Sequence, residues 1–275
     1  MRTLRFLILA ACMALPPAAL AADGLMMATS AGARDSGLLD YLKPFLLREA
    51  GVDLTWVSSG AGEALEHGKN CDVDVLLVDA PAAEMKMVEE GFAVVRREVM
   101  YSDFVFVGPG NDPAGIRGKS AADALKTLVA RKAVFVSGGD ASGAHQVEQR
   151  LWTSLKMPVP VKENWYVRPG RGMTAAISTA AEKRGYALAE RSAWLRFEAA
   201  QKDHNPLAVL IEGDTSLRNQ YSVIIVNPAR CPKLRAGAAG RFADWWVSAA
   251  AQDHIACFRL EGRQLFFPNA APPSR

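Results

Sequence analysis

Two hydrophobic rhythms alternate along the chain. Short, nearly continuous apolar runs such as VDVLLVD, MYSDFVFVGP, YALAE and YSVIIVNP have the length of strands buried on both faces. Between them, apolar residues recur three and four apart, the period of a helix with one buried face. This pattern predicts strands over 24–30, 52–59, 73–79, 100–109, 133–136, 186–190, 207–213 and 221–228. It predicts helices over 38–51, 63–70, 80–91, 120–132, 143–156, 172–185 and 191–200, and one long helix over 238–258. Gly51 and Gly91 fall where helices should close, and Gly108-Pro109 where a strand should stop. Strand-helix alternation of this kind implies an α/β fold, an open and mostly parallel sheet covered by helices.

Residues 1–22 stand outside this rhythm. Arg2 and Arg5 precede an apolar stretch that ends in Ala19-Leu20-Ala21, the form of an export signal cut near Ala21 or Ala22. Pro16 and Pro17 argue against a buried helix there. Cys12 follows an apolar run too short for a lipoprotein signal, so a lipid anchor ranks second to an exported, soluble product. Of the 275 residues, 50% are hydrophobic and 22% charged, as in a globular protein. The formal charge of +3, with no basic stripe interleaved with aromatics, gives no support to a nucleic-acid partner. Beyond the signal lie Cys71, Cys231 and Cys257. An oxidising compartment permits one disulfide, and Cys231 with Cys257 is the expected pair because both lie late in the chain. Cys71 is then expected as a small buried residue beside a strand.

Candidate chemistry concentrates in four Gly/Ser/Thr-rich turns, each between a predicted strand and a predicted helix: 28–32, 58–62, 137–145 and 170–173. Such turns present backbone N–H groups and hydroxyls at the carboxyl ends of strands, where open α/β sheets bind ligands. One turn is ordinary local structure; four sharing composition and position point to a ligand site. The third, SGGDASGAH, has the make-up of an anion cradle yet holds no Arg or Lys. Catalytic motifs do not assemble. Gly118-Lys119-Ser120 lacks the upstream glycine of a P-loop, and Ser142 and His145 sit in no nucleophile elbow. His67 and Cys71 lack a third metal ligand, and Asp72, Asp74 and Asp79 suit turns and caps. Trp245 and Trp246, mid-helix, suit core packing.

In order along the chain, SGLLDYL (36–42), GAGEAL (60–65), DVDVLLVD (72–79), EGF (90–92), VMYSDFVFVGP (99–109), SGGDASGAH, GRGM (170–173), LAERSAWL (188–195) and EGDTSLRNQY (212–221) resemble the periplasmic tungstate-binding proteins of ABC importers. The resemblance implies a two-lobed type II periplasmic binding protein without catalytic activity or cofactor, expected as a monomer, that closes on a tetrahedral oxyanion and docks on a permease. One lobe is expected from 23–103 with 217–275, the other from 104–216. The ligand-binding positions it implies are Thr29, Ser30, Gly60, Ala61, Gly62, Ser137, Gly138, Ser142, Gly143, Ala144, Arg171, Gly172 and Met173. Several depart from the family pattern. The threonine run becomes Met27-Ala28-Thr29-Ser30 or Thr29-Ser30-Ala31-Gly32, the G-T-G becomes Gly60-Ala61-Gly62, and D-R-G-T becomes Glu190-Arg191-Ser192-Ala193. In S-R-G-D-x-S-G-T-H, Gly138 replaces Arg and Ala144 replaces Thr. One cation and about three hydroxyls fewer would weaken anion binding by several kcal/mol, unless Arg168 or Arg171 compensates. Tungstate is therefore the expected ligand, molybdate next. The alternatives are another anion, a small organic acid, or a sensor without a transport role.

Overall fold

The computed structural model describes residues 22–138, 143–170, 172–201 and 204–271. The expected export signal with Cys12, and the candidates Ser142 and Arg171, lie outside these ranges.

The first sheet is built on β1 (Asp23–Ser30), flanked in parallel by β2 (Val52–Ser59) and β3 (Val75–Val78). All four residues of β3 are buried on both faces, as its unbroken apolar run requires. Helices α1 (Ala31–Asp35), α2 (Leu38–Ala50), α3 (Ala61–Lys69) and α4 (Pro81–Glu89) follow these strands. Helix α2 buries Leu38, Leu39, Leu42 and Leu46 along one stripe.

The chain then runs into β4 (Ala93–Pro109), a single 17-residue strand that serves two sheets. Its first part, through Asp103, pairs antiparallel with β9 (Arg218–Val226), and β9 pairs with β3. From Phe104 onward it pairs instead with β7 (Tyr186–Glu190) and β8 (Leu207–Ile211). The second sheet continues through β5 (Phe135–Val136) to β6 (Tyr166–Val167), both parallel contacts. Helices α5 (Ala121–Arg131), α6 (Gly143–Ser154), α7 (Gly172–Lys183) and α8 (Arg191–Gln201) belong to this half. The chain returns through a 3-10 turn at Thr215–Leu217 into β9. The outer strands of each lobe are thus parallel, as expected, while the strands that cross between lobes are antiparallel to their neighbours.

Three expectations are corrected. Residues 93–99 were not assigned to a strand, yet β4 begins at Ala93, held by β9 despite its charged positions Arg96, Arg97 and Glu98. The long C-terminal helix is two, α9 (Ala236–Trp246) and α10 (Ala249–Cys257), because Ser248 takes an extended conformation and accepts from Ala251 N–H as a helix cap. Trp245 and Trp246 do pack in the core, with Trp245 Nε1 donating to Glu49 at 2.9 Å.

The third correction is the disulfide. Cys231 is bonded to Cys71, with Cα atoms 5.5 Å apart, and Cys257 is a free, exposed thiol. The sheet explains it. Cys71 lies just ahead of β3 and Cys231 just after β9, and β3 and β9 are hydrogen-bonded neighbours. Adjacency in the sheet outweighs adjacency in sequence. Cys71 is accordingly exposed rather than a buried small residue, and takes the left-handed conformation at φ 64°.

Closing 160 residues restricts the unfolded chain. Replacing Cys71 and Cys231 together by Ser should cost about 2–5 kcal/mol, or roughly 4–20 °C in melting temperature. Cys257→Ser should leave the melt unchanged. Differential scanning calorimetry of the two variants tests the pairing.

Candidate anion site

The carboxyl ends of β1 and β2 and the residue just past β3 come to one edge of the first sheet, and β7 ends against them from the second. Between them lies a cavity of about 220 Å³. The first lobe lines it with Ser30, Ala31 and Gly32 at the start of α1, Ser59, Gly60 and Ala61 at the start of α3, and Asp79 after β3. The crossing strands supply Phe104 and Asn219. The second lobe supplies Glu190 at the end of β7 and one face of α6, Gly143, Gln146, Val147 and Arg150, spaced three, four and seven apart.

Two kinds of helix start occur in the chain. Ser120 and Ser248 cap α5 and α10, each accepting a hydrogen bond from a first-turn N–H. Ser120 is therefore a cap, which accounts for the P-loop-like Gly118-Lys119-Ser120. At the cavity, α1 and α3 begin at Ser30 and Gly60 with no side-chain cap, and α2, α4 and α9 also begin without one. The first-turn N–H groups of α3 are donors available at the cavity edge. The Ser30 hydroxyl occupies a capping position without capping. It is buried and has no partner among the described residues. Arg150 is exposed at the rim, and no ion pair or hydrogen bond of its side chain is found among the described residues.

Gly32 is dictated by close approach. A Cβ there would lie 2.6 Å from the Tyr221 hydroxyl and 2.9 Å from Glu190 Oε1. Asn219 Nδ2 donates to Asp79 Oδ2 at 2.8 Å and reaches Tyr221 Oη at 3.3 Å. Burial, and next the charge of Asp79, push the Glu190 carboxyl up to about 7. Beside the cavity, Arg191 donates to Asp103 and, at 2.8 Å, to Glu212, tying β4 to the end of β8.

Not every expected position faces the cavity. Ser30, Gly60, Ala61 and Gly143 do. Thr29 Oγ1 instead donates to the Leu77 carbonyl oxygen at 2.8 Å inside the sheet, because consecutive strand residues point to opposite faces. Ser137 Oγ donates to Glu148 Oε2 at 2.6 Å, joining a buried knot in which Glu148 also accepts from Trp152 Nε1 and Tyr166 Oη. Ala144 is packed in the core of the second lobe. Gly62 is the second residue of α3, and buried Gly138 follows Ser137; neither lines the cavity among the described residues. Gly172 opens α7, and Met173 lines an adjoining cavity of about 450 Å³ that shares Ala31, Gly32 and Glu190 with the first. Arg168 is exposed and off the cavity.

Sequence reading missed Arg150, Asp79, Glu190 and Asn219 as site residues. Two signals were available. Arg150 lies two turns beyond the Gly-rich loop on the same helix face as Gly143, and Asp79 directly follows the most apolar strand, at its carboxyl end. Among the described residues no three His, Cys, Asp or Glu side chains gather as a metal site. His67 Nδ1 lies 3.1 Å from Asp72 Oδ2.

Two α/β lobes joined by crossing strands, with a small polar cavity between them ringed by helix starts, define a solute-binding protein of the periplasmic type. The chain matches the PBP superfamily domain over residues 16–250. It is 39% identical over 236 residues to the tungstate-binding protein TupA of Campylobacter jejuni, covering 86% of this chain and 87% of that one. The solved structure of the tungstate-binding protein TupA from Desulfovibrio alaskensis superposes with a TM-score of 0.88 at 48% identity, over 91% of this chain and 100% of that one. The tungstate ABC transporter structure from Geobacter sulfurreducens is 40% identical with a TM-score of 0.71, over 86% and 98%. The chain belongs to the PBP superfamily, within the family of these tungstate-binding proteins.

Gly32→Ala should overpack the contact with Tyr221 and Glu190. A loss of about 1–3 kcal/mol in urea unfolding is expected, whereas the exposed Gly110→Ala, whose Cβ would meet nothing within 4 Å, should change stability by less than about 0.5 kcal/mol.

Proposed function

We propose that this protein is the periplasmic binding component of an ABC importer for a tetrahedral oxyanion, tungstate first and molybdate next, and that it performs no catalysis. The observation that carries this reading is the convergence of uncapped N–H groups, the unpartnered Ser30 hydroxyl and the Arg150 guanidinium on one small cavity. A volume near 220 Å³ lies below the roughly 300–1,000 Å³ of pockets for drug-sized ligands, which suits a compact inorganic anion. Arg150 answers the absence of a cation from the third turn: the charge comes from further along the helix that the turn begins. Relatives named as tungstate-binding proteins, and one titled a tungstate ABC transporter, support the ligand and the permease partner.

In this reading residues 1–22 direct export and are removed, leaving a net charge of about +1. The lobes divide at residues 103/104 and 216/217. Ser30, Gly60, Ala61 and Gly143 contribute contacts to the anion, and Ser142 and Arg171 complete the shell. The protein acts as a monomer.

Protein freed of bound anion by unfolding and refolding should melt higher with tungstate. At a thousandfold excess over the dissociation constant the gain is about 4 kcal/mol, or roughly 8–16 °C. Sulfate and phosphate at equal concentration serve as comparisons. Arg150→Ala should weaken tungstate binding roughly 10- to 150-fold, the loss of one charge-assisted hydrogen bond. No shift with tungstate, molybdate, sulfate or phosphate would overturn the oxyanion reading.

A further inference from the structure

The cavity contains a feature that an anion site should avoid. Among the described residues lining it, one guanidinium, Arg150, faces two carboxyl groups, Asp79 and Glu190. Counting the described residues alone, a doubly charged anion would meet two carboxyl groups and one guanidinium, and the fewer waters between them, the less that repulsion is screened. The two carboxyl groups are not equivalent. Asp79 already accepts the Asn219 amide at 2.8 Å. Glu190 ends β7 at the centre of the site, in register with Phe104 of the crossing strand, and its Oε1 lies against the α1 start at Gly32.

We propose that Glu190 is a specificity-determining residue that binds the anion as a neutral carboxylic acid, donating its O–H to an anion oxygen, so that wherever the free carboxyl is ionised a proton is taken from solvent with the anion. This inference rests on the oxyanion reading above. A neutral Glu190 removes one negative charge and turns an acceptor into a donor, the one change that fits this side chain to a ligand bearing only acceptor oxygens. The surroundings favour it. Asp79 faces Glu190 from the end of β3 and Asp35 from α1, both acidic. From β9 comes the buried Tyr221 hydroxyl, itself held protonated by burial and next by the Asp79 and Glu190 charges. Two groups of α8 act the other way, the Ser192 hydroxyl that hydrogen-bonds Glu190 and the Arg196 cation, which donates to the Asp35 carbonyl oxygen; burial and the Asp79 charge outweigh them. On β4, Asp103 is engaged by Arg191, which also holds Glu212. Arg150 of α6 stands at the cavity rim. Burial and the Asp79 charge accordingly push Glu190 up to about 7 in the free protein, so neutral pH leaves both forms populated. A negative ligand beside it raises that value further.

The sign follows from linkage. Well below pH 7 the acid is already protonated and binding takes up no proton. Above it the free site is ionised and must take one up, so affinity should fall about tenfold per pH unit. Tungstate itself carries no proton over this range. The test is isothermal titration of refolded full-length mature protein with sodium tungstate from pH 6.5 to 9, in two buffers of different ionisation enthalpy. Proton uptake should rise from about a quarter at pH 6.5 toward one at pH 8.5, in step with the loss of affinity. Glu190→Gln, whose amide N–H₂ replaces the O–H donor, should bind with an affinity independent of pH. A flat profile in the wild-type protein, or the same slope in Glu190→Gln, overturns the proposal while leaving the oxyanion reading intact. Tungstate binding at no pH overturns both.

Discussion

The architecture depends on one strand doing two jobs. Through Asp103, β4 satisfies its backbone with β9; from Phe104 on, with β7 and β8. A buried strand cannot leave N–H and C=O groups unpaired, so the change of partner must happen without a gap in the ladder. Both lobes are thereby anchored to one continuous run of backbone, and the cavity sits where the partner changes. Phe104 and its register mate Glu190 are cavity residues for that reason. The crossing needs no flexible linker, and the sequence contains none.

Much of this order was legible. Strands buried on both faces produce apolar runs that need no periodicity, as in VLLV of β3, and the helices between them carry clear apolar stripes. The positions of the Gly/Ser turns followed from the same alternation. What could not be read was adjacency. The partner of Cys231 is set by β3 lying beside β9, a sheet order that no local pattern encodes. The N-terminal part of β4 was hidden because Arg96, Arg97 and Glu98 look like a loop until Glu84 and Asp244 are seen pairing with Arg96 and Arg97. The break between α9 and α10 rests on one serine, whose capping role shows only once the backbone is known.

The candidate site was half legible for a related reason. Composition identified which turns hold donors, but the direction of each hydroxyl depends on strand parity and on competing acceptors. Thr29 and Ser30 are neighbours of the same chemical kind. One is consumed by the Leu77 carbonyl oxygen and the other is left for the cavity. Charges were harder still. Arg150 reaches the site by helical periodicity from outside the turn, and Asp79 and Glu190 do so by ending strands that converge from opposite lobes.

The Cys71–Cys231 bond closes a covalent ring through 160 residues of chain. Both passages between the lobes, along β4 and β9, lie within that ring, so the whole second lobe is a loop threaded out of a closed first lobe and back. A peptide bond cut anywhere between the two cysteines therefore opens the ring without producing two molecules. In a compartment that holds proteases and keeps thiols oxidised, a nicked chain would still travel as one particle, its two strand systems tethered beside the cavity they share.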